Sequence, residues 1–172
     1  FGKALGNGYA ITSIIGKKEI MQEAQSTFIS STFWTERIGP TAALKTLEVM
    51  EREKSWIKIT DIGNKISKIW SKLGNKYNLP IIIFGLPALI KFKFNSRFNL
   101  EYKTFISQEM LKKGFLASNT VYVCIEHNDV ILEEYQKALD QIFEVISKCE
   151  NGKSIYDFLE GPVCSNEFRR IN

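Results

Sequence analysis

The residue with the clearest chemical potential is Lys3, which stands between Gly2 and Ala4. The turn 5–8 follows, and then an apolar run, Tyr9–Ile15, which predicts a buried strand. Small neighbours leave room for a flat ligand near the backbone, and an amine in a partly desolvated pocket loses its proton more readily. Such an amine attacks carbonyl carbons, which is what an imine-forming lysine needs. On composition alone, a lysine in a glycine-rich loop is usually a solvated surface residue.

The sequence from Phe1 to Met21, FGKALGNGYAITSIIGKKEIM, favours an imine-forming lysine over a solvated one. It closely resembles the lysine segment of the class III aminotransferases, which are fold type I pyridoxal-phosphate enzymes and include glutamate-1-semialdehyde aminomutase. In that family the lysine forms an imine with pyridoxal 5'-phosphate, a loop and strand follow, and a short helix begins at the equivalents of Lys17 and Lys18. The resemblance therefore implies that Lys3 is both the catalytic and a cofactor-binding residue.

A second segment, residues 25–36, is rich in hydroxyls and aromatic rings and poor in helix formers. Hydroxyls and free backbone amides at a turn are groups that hold a phosphate. In the family, a threonine at this place binds the cofactor phosphate of the neighbouring subunit. Counting back from Pro40 and the helix Thr41–Leu47 gives that role to Thr32, with Ser31 beside it. The alternative is a loop whose hydroxyls cap its own turns. The sequence Thr35-Glu36-Arg37 departs from the Gly-Asn of many relatives.

The composition excludes several classes of protein. The chain has 172 residues, 44% hydrophobic and 24% charged, which describes a globular protein with one core or two small ones. The net charge of +4 is spread through predicted helices, so a nucleic-acid partner is not expected. No apolar run is long enough to cross a membrane. Three cysteines without metal-like spacing indicate reduced thiols in a cytoplasmic protein, with no metal site.

Helical patterns follow the hydroxyl-rich segment. A helix is predicted from Gly39 to about Lys54, with Pro40 in its first turn. Ser55 is the predicted cap of a second helix, whose apolar residues recur at intervals of three and four up to Leu73. In the family, two such helices connect the large domain to the small one, although an ordinary helical bundle explains the same stripe.

The pattern of the second half of the sequence predicts a small sheet covered on one face by helices. In β-type alternation, Ile90, Phe92 and Phe94 face one side while Lys91 and Lys93 face the other. The predicted elements are strands at Pro80–Phe84, Leu89–Phe94, Phe115–Ala117 and Thr120–Ile125, a helix at Tyr102–Lys113 and a long helix from Asn128.

The resemblance implies an α/β and α+β fold, the C-terminal portion of a fold type I pyridoxal-phosphate transferase. Residues 1–54 would end the large cofactor domain, and residues 55–172 would form the small C-terminal domain. The N-terminal part of the enzyme, with the groups that hold the pyridine ring, is expected to lie outside this chain. The family also implies a homodimer whose active site lies at the subunit interface.

Other polar residues are assigned no chemistry. The single histidine, His127, precedes a predicted helix and is interpreted as structural, because the freed lysine already supplies the base. Arg169 and Arg170 resemble a solvated tail more than a carboxylate-binding pair, so we leave them out of the site. Many relatives that use 2-oxoglutarate carry an arginine on the strand equivalent to Tyr122–Ile125, and none occurs there.

Two functional hypotheses remain open. The first is a pyridoxal-phosphate-dependent aminotransferase that moves an amino group between an amine or amino acid and a carbonyl compound, or the related glutamate-1-semialdehyde 2,1-aminomutase. The variant TFWTERIGP favours the aminotransferase. The second is that this piece alone is inactive and serves as a structural, dimerising module. The sequence names neither the amino donor nor the acceptor.

Overall fold

The computed structural model describes residues 1–165, so Arg169 and Arg170 lie outside the described residues. The chain divides into two compact units, Phe1–Ser55 and Trp56–Asn172. None of the helices in the described part of the chain is both long and apolar enough for a membrane span.

The first unit is mostly loop, turn and helix. A 3₁₀ turn covers Lys3–Leu5, helix α1 covers Lys18–Gln22 and continues as a 3₁₀ turn at Glu23–Ser26, and helix α2 covers Ile38–Glu53. The predicted helix over 39–54 is confirmed within one residue. The short helix predicted near Lys17 is also present.

The predicted strand Tyr9–Ile15 is wrong for this structure, because residues 10–17 have no regular secondary structure. Ile14 and Ile15 are 80% and 71% exposed, so the apolar run is not buried within this chain. A strand needs a neighbour to accept its hydrogen bonds, and residues 1–55 contain no other strand. Apolar content alone therefore does not produce a strand here.

Few side chains of the first unit are buried. Ala43 and Ser55 are buried, as are the glycines Gly6 and Gly39. Large apolar side chains stay exposed, including Ile14, Phe28, Trp34, Leu44 and Leu47. The predicted Ser55 cap is not formed, since the buried Ser55 hydroxyl has no hydrogen-bond partner within residues 1–165.

The second unit contains a three-stranded antiparallel sheet and three long helices. After helix α3, Ser55–Tyr77, the chain forms strand β1, Ile81–Leu86, and strand β2, Leu89–Phe94. Helix α4 covers Asn99–Lys112, strand β3 covers Thr120–Tyr122, and helix α5 covers Asp129–Glu150. A 3₁₀ turn follows at Ile155–Asp157.

The strand order is β1-β2-β3, which leaves β1 and β3 as edge strands. In the register, Ile83 lies opposite Phe92, and Ile90 lies opposite Val121. The predicted strand Phe115–Ala117 is wrong, and only the first three residues of the predicted Thr120–Ile125 strand are paired. The predicted helices near residues 102–113 and after Asn128 are confirmed.

The core of the second unit lies on one face of β2. Phe92 is fully buried, and its ring centroid lies 4.6 Å from that of Trp70 on α3 and 5.9 Å from that of Phe143 on α5. Phe94 packs edge-on against Tyr102 of α4 at 5.2 Å. All three long helices therefore meet the sheet through two phenylalanines of one strand. The predicted alternation of β2 is confirmed.

Hydrogen bonds within the second unit join elements that are distant in sequence. Trp70 Nε1 donates to the Tyr135 hydroxyl at 2.9 Å inside the core. The Tyr102 hydroxyl donates to Glu150 at 2.6 Å, and Ser96 donates to the same carboxylate at 2.7 Å. Burial is the larger cause that raises the pKa of Tyr102, and the bond to Glu150 raises it further. Tyr102 is therefore a neutral donor that ties α4 to the end of α5.

The two faces of the sheet give a matched test of this core. We expect Phe92→Ala to lower the free energy of unfolding by about 3–5 kcal/mol, because it opens a cavity where three helices meet. Phe84, on the other face of the sheet, is 45% exposed, so Phe84→Ala should cost about 1 kcal/mol or less. Urea unfolding followed by tryptophan fluorescence measures both. Equal losses for the two variants would contradict this account of the core.

Candidate functional site

Lys3 lies in a tight turn with an unusual backbone. Its φ is +46°, in the left-handed region that residues with a side chain rarely adopt. The main chain is held there by bonds from Leu5 N to Gly2 O at 3.0 Å and from Asn7 N to Lys3 O at 3.1 Å. Strained backbone of this kind costs on the order of 1–3 kcal/mol and is concentrated at functional sites. The Lys3 side chain itself is exposed.

The lysine segment is positioned by the start of α2. The turn Lys3–Leu5 contacts α2, and Gly39 in the first turn of that helix lies against residues 10 and 11. A Cβ atom at Gly39 would stand 2.6 Å from the carbonyl oxygen of Ala10 and 3.3 Å from Cβ of Ile11. Only glycine therefore allows this close approach. Ser13 N also donates to Phe1 O at 2.7 Å, which closes the segment into a loop.

Glu36 is a residue that the sequence reasoning left unexplained. Its carboxylate accepts hydrogen bonds from the main-chain N–H groups of Ile38 at 2.5 Å and Gly39 at 3.0 Å. These are free donors at the start of α2, where the helix dipole also favours a negative charge. The departure at Thr35-Glu36-Arg37 thus has a structural role. The signal in the sequence was an acidic residue immediately before a predicted helix.

The two hydroxyl residues of the predicted phosphate site differ in their surroundings. The Ser31 hydroxyl accepts a hydrogen bond from Phe33 N at 3.2 Å, so in this chain it caps its own turn. Ser26 and Thr27 also bond locally, both to the carbonyl of Glu23. Thr32 is exposed, and no hydrogen bond of its hydroxyl is found in the described part of the chain. Thr32 therefore differs from Ser31 in that its hydroxyl does not cap its own turn.

The chemistry of these groups fits pyridoxal phosphate. A primary amine at Lys3 suits the aldehyde of the cofactor, and hydroxyls at a turn suit its phosphate. Across residues 1–165, no hydrogen bond joins Lys3 to Ser31 or Thr32. The roles of all three residues remain predictions.

Comparison with known proteins gives one family and a consistent set of relatives. The family description "Aminotransferase class-III" matches residues 1–149. The 3-aminobutyryl-CoA aminotransferase of Cloacimonas acidaminovorans is 31% identical over 86% of this chain and 37% of its own length. The glutamate-1-semialdehyde 2,1-aminomutase of Methanococcus maripaludis is 26% identical over 81% of this chain and 36% of its own length. The chain thus spans little more than a third of these relatives.

A solved structure supports the same fold. The PLP internal aldimine form of the Sphingopyxis sp. MTA144 FumI protein matches with a TM-score of 0.77 at 17% identity. The match covers 91% of this chain and 38% of that protein. The predicted fold class, the C-terminal portion of a fold type I pyridoxal-phosphate enzyme, is confirmed.

Gly39 offers a test of how the lysine segment is held. We expect Gly39→Ala to loosen residues 1–17, because the added Cβ displaces the Ala10 carbonyl at a cost of about 1–3 kcal/mol. Tryptic cleavage after Lys17 and Lys18 should then be at least about fivefold faster, since it follows local opening. Thr41→Ala, on an exposed position of the same helix, is the control. An unchanged cleavage rate in Gly39→Ala would refute the positioning role.

Proposed function

This chain belongs to the class III aminotransferase family, and we propose that it is the lysine-bearing C-terminal part of a pyridoxal-phosphate-dependent aminotransferase. The enzyme moves an amino group between an amine or amino acid and a carbonyl compound. The observation that carries the proposal is Lys3, which lies within the matched residues and has a strained backbone. The cofactor that the family implies is pyridoxal 5'-phosphate.

The proposed roles follow from the chemistry of each side chain. Lys3 Nζ would hold the cofactor, and its free amine would accept a proton from the substrate carbon and return it. The bound cofactor supplies the electron sink for this proton transfer. The Thr32 hydroxyl would donate to the cofactor phosphate of the neighbouring subunit, and Ser31 would contribute to the same phosphate site beside it. Glu36 and Gly39 are positioning residues that fix α2 and the lysine segment.

The exposed apolar surface of the first unit supports a larger, dimeric enzyme. Ile14, Phe28 and Leu44 are between 70% and 92% exposed, which is unusual for apolar side chains of a finished domain. In our proposal, residues 1–54 complete a large cofactor domain and pack against its remaining part and a second subunit. Residues 55–172 form the small domain. On its own the piece is inactive. The free thiols of Cys124, Cys149 and Cys164 support a cytoplasmic location.

An aminomutase is the second candidate, and it is favoured by the relatives named glutamate-1-semialdehyde 2,1-aminomutase. The two reactions differ in their products. A transaminase, loaded with cofactor and given an amine together with a 2-oxo acid, releases a carbonyl compound from the donor and a new amino acid from the acceptor. An aminomutase returns an isomer of its single substrate with the same mass. Mass spectrometry of the products distinguishes the two.

The imine role of Lys3 can be tested directly. Borohydride reduction of the full-length protein with pyridoxal phosphate should place a pyridoxyl group on Lys3, because reduction makes the covalent bond permanent. Peptide mass mapping identifies the site, with Lys17 and Lys18 as internal controls in the same region. Lys3→Arg, which keeps the charge, should lose the adduct. A full-length protein without an adduct on Lys3 would refute the enzyme proposal.

The phosphate role of Thr32 predicts a change in cofactor affinity. Thr32→Val should weaken binding of pyridoxal phosphate by at least about tenfold, because a hydrogen bond to a charged group is worth about 1.5–3 kcal/mol. Thr35→Val is the matched control in the same loop. Absorbance titration of the full-length protein measures the dissociation constant. Equal affinities in the two variants would exclude Thr32 from the phosphate site.

A further inference from the structure

The second unit contains a cavity that the proposed function does not use. It has a volume of about 250 Å³ and is lined only by residues between Ile66 and Tyr135, so it includes none of the predicted cofactor residues. Its walls come from α3, the segment 115–117, strand β3 and the first turns of α5. The apolar part includes Phe115, Leu116, Ile131 and Leu132.

The lining of this cavity carries no formal charge. No Asp, Glu, Lys or Arg contributes to it, whereas cavities of about 320 and 340 Å³ elsewhere in the unit are lined by several charged residues, including Lys137 and Glu133. Moving an ion into an apolar environment without a partner is costly. The cavity therefore selects against charged ligands.

Two of the lining residues, Tyr135 and His127, have side chains that carry hydrogen-bonding groups. Tyr135 is buried, and its hydroxyl accepts from Trp70 Nε1 at 2.9 Å; across residues 1–165 the structure gives its own O–H proton no acceptor. Burial raises the pKa of Tyr135, so the proton stays in place. Nδ1 of His127 accepts from Cys124 N at 3.4 Å, so Nε2 is the ring nitrogen that this bond leaves to a ligand.

The free edge of β3 adds main-chain groups. Phe92 N donates to Asn119 O at 3.0 Å, and Val123 N donates to Ala88 O at 3.1 Å. In an antiparallel pair, the main-chain groups of successive residues point alternately toward the neighbouring strand and away from it. The main-chain groups of Val121 therefore point toward β2, while the N–H groups of Thr120 and Tyr122 point away from it. Both residues line the cavity.

We propose that this cavity binds a small uncharged molecule with an aromatic or branched apolar body and one carbonyl oxygen. An apolar cavity with a few convergent polar groups is the usual form of a small-molecule site. A cavity of about 150 Å³ holds benzene, so this one holds a ring and a short substituent. The carbonyl oxygen accepts from the Tyr135 hydroxyl or from His127 Nε2. The proposal does not rest on the aminotransferase reaction.

The test uses the full-length protein without pyridoxal phosphate, and benzamide as the probe. Benzamide is neutral, carries a carbonyl and does not form imines with lysine. In a ¹H–¹⁵N titration we expect saturable shifts at Val121, Ile131 and Tyr135, with a dissociation constant of about 1 mM. Benzoate and benzylamine, which keep the ring but carry a charge, should bind at least about tenfold more weakly.

Variants separate the hydrogen bond from the apolar contact. Tyr135→Phe should weaken the binding of benzamide about threefold to tenfold. The binding of toluene should not change, because toluene has no hydrogen-bond acceptor. Tyr156→Phe is the matched control outside the cavity. Ala117→Phe fills the space and should abolish binding of both probes, whereas Ala88→Phe, in the β1–β2 turn, should not.

Several results would overturn the proposal. It is wrong if the shifts at the cavity residues do not saturate, or if benzoate binds as tightly as benzamide. It is also wrong if Ala117→Phe and Ala88→Phe have equal effects on binding. Tyr135→Phe leaves the buried Trp70 indole N–H without its acceptor, so its fold is checked from the same spectra. If Tyr135→Phe unfolds, the proposal is decided by the comparison of Ala117→Phe with Ala88→Phe and by the comparison of benzamide with benzoate and benzylamine.

Discussion

Burial of one face of β2 is the constraint on which the second unit depends. Ile90, Phe92 and Phe94 point into the core, and the rings of Phe92 and Phe94 contact aromatic side chains of all three long helices. Since successive residues of a strand face opposite sides, a shift of one residue in register would move Lys91 and Lys93 into this core. The pairing of β2 with both neighbours is therefore specified by the cost of burying two ammonium groups.

The first unit is organised by a different kind of interaction. Its segments are held by turns, by the Glu36 carboxylate at the start of α2 and by the close approach that Gly39 permits, with few buried side chains. The predicted chemistry belongs to this unit, whereas most of the apolar burial belongs to the other. In the proposed enzyme, the exposed apolar side chains around Lys3 are covered by the rest of the large domain and by a second subunit.

The elements that could be predicted from the sequence are those with a strong periodic pattern of apolar residues. Helices α2 and α5 and strand β2 carry long or strict repeats, and their predicted positions are confirmed. Tyr9–Ile15 and Phe115–Ala117 are apolar but have no partner strand within residues 1–165, and a strand cannot be inferred without one. The family could be identified because the Lys3 segment is a dense local motif. The Glu36 cap and the 250 Å³ cavity arise from contacts that no linear pattern encodes.

Strand β1 has a consequence for the behaviour of the chain in solution. Among the described residues it is an edge strand, and its residues Ile81–Leu86 contain no charge and no proline, so its outer main-chain groups offer a template for cross-β association. Lys91 and Lys93 lie opposite Phe84 and Ile82 on the exposed face and place positive charge beside this edge. Like charges on approaching molecules repel, so we expect these lysines to oppose such association. Colloidal stability should therefore decline as salt screens that repulsion.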